Sequence, residues 1–204
     1  PPPRMIAWEL TQACNLACRH CRAAAVDAPS PDDLSTDECL ALIDHIASFA
    51  TPTLILTGGE PLLRADLFAI AQHATDRGLR AVAALNGVLL DADRARRLRA
   101  AGVQRISISL DGRDAAEHDR LRAVPGAFDG ALRGIAAAKE AVLPFQINTT
   151  VTQENVEHLP DIMQLAIRLG AIGHHIFLLV PTGRAAGYTG LELDADRYES
   201  VLNW

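Results

Sequence analysis

The residues of this chain best suited to chemistry are three closely spaced cysteines, Cys14, Cys18 and Cys21. Their C-x3-C-x2-C spacing brings three thiolates into one short loop, which can hold a soft metal centre such as an iron–sulfur cluster. Such clusters normally take a fourth cysteine, but the remaining cysteine, Cys39, lies well downstream. A centre with three protein ligands keeps one coordination position open, which by analogy with zinc sites marks a reactive centre.

The composition of the chain excludes several functional classes. Its 204 residues, 49% of them hydrophobic, are enough to bury the core of a single domain. The net charge of −6 and the aromatic content of 4% argue against a nucleic-acid partner. There is no apolar run of transmembrane length, and the first residues lack the apolar core of a signal peptide. Because three of the four cysteines are clustered, we expect metal ligation in a reducing compartment, the cytoplasm, with no membrane contact.

The elements that must position the cysteines alternate between strand and helix patterns, which is typical of βα units on a parallel sheet. The pattern predicts six strands, at residues 5–10, 53–56, 80–85, 105–110, 145–151 and 176–180. It predicts helices between them, at residues 36–50, 66–77, 91–101, 128–140 and 156–169, and a last helix from about residue 194. Six such strands form either an open doubly wound sheet or most of a (β/α) barrel.

Polar signatures follow the carboxyl ends of the predicted strands. The cysteine loop follows the first strand, and the others lie at residues 57–61, 86–87, 109–112, 148–150 and 181–183. In parallel α/β folds the ligand site lies at this end of the strands, so the sequence predicts one shared site. Ser107, Ser109 and Asp111 also share one face by the two-residue period of a strand. A polar face turned into a barrel needs a ligand or a partner.

This combination resembles the radical S-adenosylmethionine (SAM) enzymes. The resemblance rests on the cysteine loop and on Gly-Gly-Glu-Pro at residues 58–61, and it covers nearly the whole chain. It implies an α/β fold, a partial (β/α)6 barrel of the TIM type, with the radical SAM core at residues 1–187. Residues 188–204 are expected to begin a C-terminal segment that is cut short. By the same resemblance, Cys14, Cys18 and Cys21 bind three irons of a 4Fe–4S cluster, and the fourth iron chelates the amino and carboxylate groups of SAM.

The resemblance also implies which residues surround SAM. Gly58, Gly59 and Glu60 match the segment that receives the methionyl ammonium, although Gly-Gly and Glu-Pro are also common in ordinary turns. Ser109 and Asp111 belong to the fourth-strand segment that helps to hold the carboxylate and the ribose of SAM.

Three further positions are implied in the same way, each with an alternative. Arg122 matches the arginine that pairs with the SAM carboxylate, or it is a solvated surface charge like its neighbours Arg113 and Arg120. His20 takes the place of an aromatic ring that packs near adenine, or it is a surface histidine. Val180 offers a backbone contact to adenine, or it is a plain core valine.

The activity implied is reductive cleavage of SAM to methionine and a 5′-deoxyadenosyl radical, which takes a hydrogen atom from a small-molecule or peptide substrate. A flavodoxin or ferredoxin is the expected electron donor. The sequence is most similar to the branch with a C-terminal SPASM-type extension. Within it, segments such as Ser-Leu-Asp-Gly (residues 109–112) resemble enzymes of haem d1 and alternative haem synthesis, which modify sirohaem-derived tetrapyrroles. A peptide maturase of this branch is the alternative.

Two other classes remain as alternatives. One is a non-catalytic iron–sulfur or zinc protein, but a closed metal site does not need the Gly-Gly-Glu-Pro segment. The other is a nucleotide-binding domain without a metal, but the chain lacks a G-x-G-x-x-G after its first strand.

Overall fold

Six parallel strands form one curled sheet whose spatial order follows the chain. The computed structural model describes residues 1–188 and 190–204. The strands are β1 (Met5–Glu9), β2 (Thr53–Thr57), β3 (Arg80–Leu85), β4 (Ile106–Ser109), β5 (Phe145–Val151) and β6 (His174–Leu178). Strands β1 and β6 are the two edges of the sheet, so the sheet is a half-barrel and the prediction of a partial (β/α)6 barrel is confirmed.

Seven helices accompany the sheet in the part of the chain that is described. They are α1 (Thr36–Phe49), α2 (Leu67–Asp76), α3 (Ala92–Ala100), α4 (Ala115–Arg122), α5 (Ala127–Glu140), α6 (Leu159–Leu169) and α7 (Ala195–Asn203). Short 3-10 turns lie at Pro61–Leu63, Val156–His158 and Gly183–Gly187. No helix of the described residues combines the length and the apolar character needed to cross a membrane.

The sequence pattern predicted most of these elements to within two residues, and it missed α4. Strand β6 begins at His174, two residues before the predicted start. Helix α4 escaped because its buried residues are Glu117, His118, Leu121 and Arg122, three of which are polar. A helix that buries polar side chains shows no apolar stripe, which is the signal that a periodicity analysis reads.

The two faces of the sheet have different chemistry, as the two-residue period of a strand requires. Ile106, Ile108 and Ile147 are fully buried among the surrounding helices, in the main hydrophobic core. The alternate positions of the same strands carry polar side chains on the concave face. The sheet thereby turns its polar side towards the axis of the half-barrel, where the site lies.

Candidate active site

The cavity at the carboxyl ends of the strands, about 280 Å³ in volume, brings together most of the predicted site residues. Eight of them lie on its wall: Cys14, Cys18, His20, Cys21, Gly58, Gly59, Ser109 and Arg122. The polar signatures at Asn86, Asn148 and Thr150 lie on the same wall, so they face the cavity rather than serve turns alone. The register of the sheet brings the signatures after β4 and β5 side by side, because Ser109 pairs directly with Asn148.

Each of the three cysteine sulfurs lies near an N–H donor. The backbone N–H of Leu16 lies 3.4 Å from Cys14 Sγ, and the backbone N–H of Ala25 lies 3.4 Å from Cys21 Sγ. The third sulfur, Cys18 Sγ, lies 3.6 Å from the guanidinium nitrogen Nη1 of Arg122. Burial raises the pKa of the Cys14 thiol, and the Leu16 N–H opposes that effect. N–H donors on sulfur stabilise the thiolate form that metal ligation requires.

Among the described residues, the thiols are not arranged as the ligands of a single metal ion. Within residues 1–188 and 190–204, no three His, Cys, Asp or Glu side chains converge as ligands of one metal ion would. A 4Fe–4S cluster does not ask for such convergence, because each cysteine binds a different iron. All four cysteines of the chain are free thiols, and the fourth, Cys39, is buried in α1 among apolar residues as a small core side chain.

The Gly-Gly-Glu segment after β2 lies in close contact with the loop that carries the cysteines. The backbone N–H of Gly59 donates to Thr11 O at 2.8 Å, and that of Glu60 donates to Ala13 O at 2.7 Å. A Cβ added to Gly58 would lie 2.4 Å from Thr11 O, and one added to Gly59 would lie 2.1 Å from Ala13 O. Glycine is therefore required at both positions, because any side chain would collide with backbone oxygen.

The Glu60 carboxylate lies behind the cavity wall. It is fully buried and accepts the backbone N–H of Asn86 at 2.7 Å and of Leu62 at 3.1 Å. Burial raises its pKa to about 7, although the two N–H donors lower it. These bonds join the loop after β2 to the loop after β3. The contact between the Glu60 carboxylate and a ligand ammonium stays a prediction.

Asp111 is the centre of a buried charged cluster between β4 and α4. Its Oδ2 pairs with Arg122 Nη2 at 2.5 Å and lies 3.4 Å from His20 Nε2, and its Oδ1 accepts the Thr150 N–H at 2.8 Å. Its backbone N–H donates to His118 Nδ1 at 3.0 Å. Burial alone would raise the pKa of Asp111, but the Arg122 charge and the imidazoles hold it below its usual value. Asp111 is fully buried and does not contribute to the cavity wall.

The buried charged cluster around Asp111 excludes the alternatives in which Arg122 and His20 are surface residues. Arg122 and His20 are each only 8% exposed and face the cavity, so neither is a surface residue. Arg120 and Arg113 are instead exposed, and they form ion pairs with Glu154 at 2.9 Å and with Glu117 at 2.9 Å. Burial lowers the pKa of His20 to about 4, which makes it a neutral imidazole at physiological pH.

Val180 lies outside the cavity wall. It is 57% exposed, which excludes the alternative of a core valine, and its carbonyl accepts the Thr182 N–H at 2.8 Å. The predicted backbone contact to adenine stays a prediction. His174 and His175 begin β6 at the opposite end of the sheet.

Phe177 and Arg184 are among the residues of the cavity wall that were not predicted as site residues. Phe177 lies on the wall from β6 with half of its surface exposed. Arg184 lies on the wall from the turn after β6 and hydrogen-bonds to the cysteine loop. Phe177 could have been found as an aromatic residue at an inward position of an edge strand. Arg184 gave no local signal, because its partners lie more than 150 positions earlier in the chain.

Comparison with known proteins agrees with this geometry. Residues 8–166 match the Radical SAM superfamily, so the chain belongs to that family, whose enzymes use a 4Fe–4S cluster and SAM. Over all 204 residues the chain is 52% identical to the AdoMet-dependent heme synthase of Nitratidesulfovibrio vulgaris, covering 56% of that protein. Over 99% of its length it is 35% identical to the pre-heme d1 synthase of Dinoroseobacter shibae, covering 50% of it.

The fold has a solved counterpart. Streptococcus suis SuiB bound to S-adenosylmethionine superposes with a TM-score of 0.81 at 14% identity, over 98% of this chain and 47% of SuiB. At that identity the likeness concerns the fold alone. The chain spans about half the length of the curated relatives it matches.

Proposed function

We propose that this chain is the radical SAM core of an enzyme that modifies a tetrapyrrole, of the kind used in haem d1 and alternative haem synthesis. The observation that carries the radical SAM assignment is the single cavity wall shared by Cys14, Cys18, Cys21 and the two glycines of the Gly-Gly-Glu segment. When bound, the cluster and SAM supply reductive cleavage of SAM and a 5′-deoxyadenosyl radical that takes a hydrogen atom from the substrate.

The residues of this chain bind and orient the two cofactors. The three cysteine thiolates would hold three irons, and the backbone of Gly58 and Gly59, which lies on the same cavity wall, would receive the methionyl group of SAM. Arg122 suits the SAM carboxylate, since its Nε is buried without a protein partner among the described residues. Ser109 adds a hydroxyl to the same wall, and the neutral ring of His20 offers a flat surface to adenine.

The substrate class rests on similarity along the whole chain. Identity of 52% with a heme synthase and 35% with a pre-heme d1 synthase supports a tetrapyrrole substrate. Peptide modification is the second candidate, since SuiB, which shares the fold of this chain, was also solved with its precursor peptide SuiA. The first is preferred because it rests on sequence identity above 50%, whereas the SuiB likeness is one of fold.

The proposal extends to the partners and the compartment. A low-potential one-electron protein, a flavodoxin or a ferredoxin, would reduce the cluster, as the family resemblance implies. Four free thiols support a reducing compartment such as the cytoplasm. The net charge of −6 supports the absence of a nucleic-acid partner.

Anaerobic reconstitution tests the proposal directly. We expect wild-type protein to take up a 4Fe–4S cluster, to show an electron paramagnetic resonance spectrum of the reduced cluster that changes when SAM is added, and to release 5′-deoxyadenosine after reduction. Cys14→Ala is expected to lose the cluster and the product, whereas the matched control Cys39→Ala keeps both because Cys39 lies in the core. A cluster that is unaffected in Cys14→Ala would contradict the ligand assignment.

A second measurement separates the classes of substrate. Mass spectrometry after incubation with sirohaem-derived tetrapyrroles or with candidate peptides is expected to show a SAM-dependent mass change in a tetrapyrrole. A change in a peptide alone would support the maturase. A cluster whose spectrum ignores SAM would support the non-catalytic iron–sulfur protein.

A further inference from the structure

The turn after β6 holds the loop that carries the cysteines. The backbone N–H of Arg184 donates to Cys21 O at 2.9 Å, and its Nε donates to Cys18 O at 2.9 Å. Its Nη1 donates to Ala25 O. One residue thus bonds to three carbonyls of the same loop, across as many as 166 positions of the sequence.

Gly183 makes this contact possible. Its φ of +59° lies in the left-handed region, and a Cβ there would lie 2.2 Å from Arg22 O and 2.5 Å from Cys21 O. The backbones of the two loops therefore touch, and a side chain at Gly183 would force them apart. We use the term clasp for Gly183 and Arg184 together with the three carbonyls that Arg184 binds.

The clasp joins the two edges of the half-barrel. The cysteine loop follows β1, and the turn with Arg184 follows β6, which are not neighbours in the sheet. The third guanidinium nitrogen, Nη2, is buried without a protein partner in the described part of the chain, and Arg184 lies on the cavity wall. The residue therefore combines a mechanical contact with a positive charge beside two cysteines.

We propose that Arg184 is a positioning residue, which fixes the backbone of Cys18 and Cys21 and places a guanidinium charge beside the cluster they hold. The second part rests on the proposed function, whereas the first concerns the cluster-free chain as well. A guanidinium suits this role because its planar fork can reach two carbonyls at once, which a lysine ammonium cannot do in the same geometry. Hydrogen bonds and charges near the sulfurs are known to set the potential of iron–sulfur clusters.

Hydrogen–deuterium exchange of the cluster-free protein tests the mechanical part. Arg184→Met is expected to speed exchange of the amides of residues 18–26 by about tenfold, since it removes two of the three bonds. Arg184→Lys should give an intermediate rate. Arg168→Met, a control at an exposed arginine of α6, should leave the rate unchanged. Equal rates in wild type and Arg184→Met would overturn the clasp.

A redox titration of the reconstituted protein tests the charge. Arg184→Met is expected to lower the midpoint potential of the cluster, because a positive charge that favours the reduced form is lost. Arg184→Lys should restore the potential while its loop exchange stays faster than in wild type. Potentials that are the same in all three proteins would refute the electrostatic part.

The outcomes distinguish this proposal from the proposed function. A wild-type chain that takes up no cluster would refute the function, and the exchange experiment would still decide the clasp. If Arg184→Met also loses protection in β3 and α5, the variant has unfolded globally, and the comparison of Arg184→Lys with wild type then decides. Faster exchange confined to residues 18–26 supports the clasp, and unchanged exchange in Arg184→Lys contradicts it.

Discussion

The contact between the Gly-Gly-Glu segment and the cysteine loop gives a prediction whose size follows from the geometry. A Cβ at residue 59 would lie 2.1 Å from Ala13 O and 2.8 Å from Gln12 O, so Gly59→Ala must push the two backbones apart. The movement breaks the bonds from the N–H groups of Gly59 and Glu60, 2.8 Å and 2.7 Å long. Two backbone bonds are worth about 1–3 kcal/mol together, and overpacking costs about 1–3 kcal/mol more. We therefore expect a loss of about 2–6 kcal/mol in the free energy of unfolding.

Thermal unfolding of the cluster-free protein measures this loss. In a chain of this size a change of 1 kcal/mol shifts the midpoint by about 2–4 °C, so the midpoint should fall by roughly 4–24 °C. Gly187→Ala is the matched control, because a Cβ there meets no described atom within 4 Å and the φ is not positive. Reconstituted Gly59→Ala should also hold less iron. A midpoint within about 2 °C of the control would refute the reasoning, because the two loops would then separate at no cost.

The buried carboxyls give two further predictions. Asp111→Asn leaves Arg122 buried without its ion pair, so the free energy of unfolding, measured by urea titration, should fall by about 3–5 kcal/mol. The double variant Asp111→Asn with Arg122→Met should lose less stability than the two single variants lose together. Losses that simply add would contradict the pairing. Because the folded pKa of Glu60 is raised to about 7 from 4.5, its folded form binds more protons, and its contribution to stability falls as pH rises between these values. As pH rises through that range, the free energy of unfolding of wild type should therefore fall by about 1.4 kcal/mol per pH unit relative to that of Glu60→Gln. Parallel pH profiles of the two proteins would contradict the raised pKa.

The sequence predicts this fold well because the signals that form it are local. Strand β3 reads as an apolar run and strand β5 as alternating apolar and polar residues, each between helices of regular period, and the predicted bounds of both strands match the structure to the residue. The cysteine spacing and the Gly-Gly-Glu segment are also local patterns. They predict one cavity because parallel strands present their carboxyl ends on the same side, and the structure brings them together there.

What the sequence does not show is how side chains far apart in the chain pair with each other. Asp111 reads as a ligand contact from its position after β4, but Arg122 and the Thr150 N–H occupy its carboxylate. Glu60 likewise bonds to the Asn86 N–H. The sequence gives the type of a charged residue but not its partner. Only the folded structure shows which protein groups its side chain contacts.

The clasp also orders events in time. Because the strands lie in chain order, each new strand can join the edge of the last one while the chain is still being made. Arg184, however, follows Cys18 by 166 residues, which at translation rates of about 5–20 residues per second is roughly 8–30 s. During that interval the cysteines are already outside the ribosome but lack the residue that holds their loop. On the proposed role of Arg184, the loop that carries the cysteines would therefore reach its folded form only after the sixth strand has emerged.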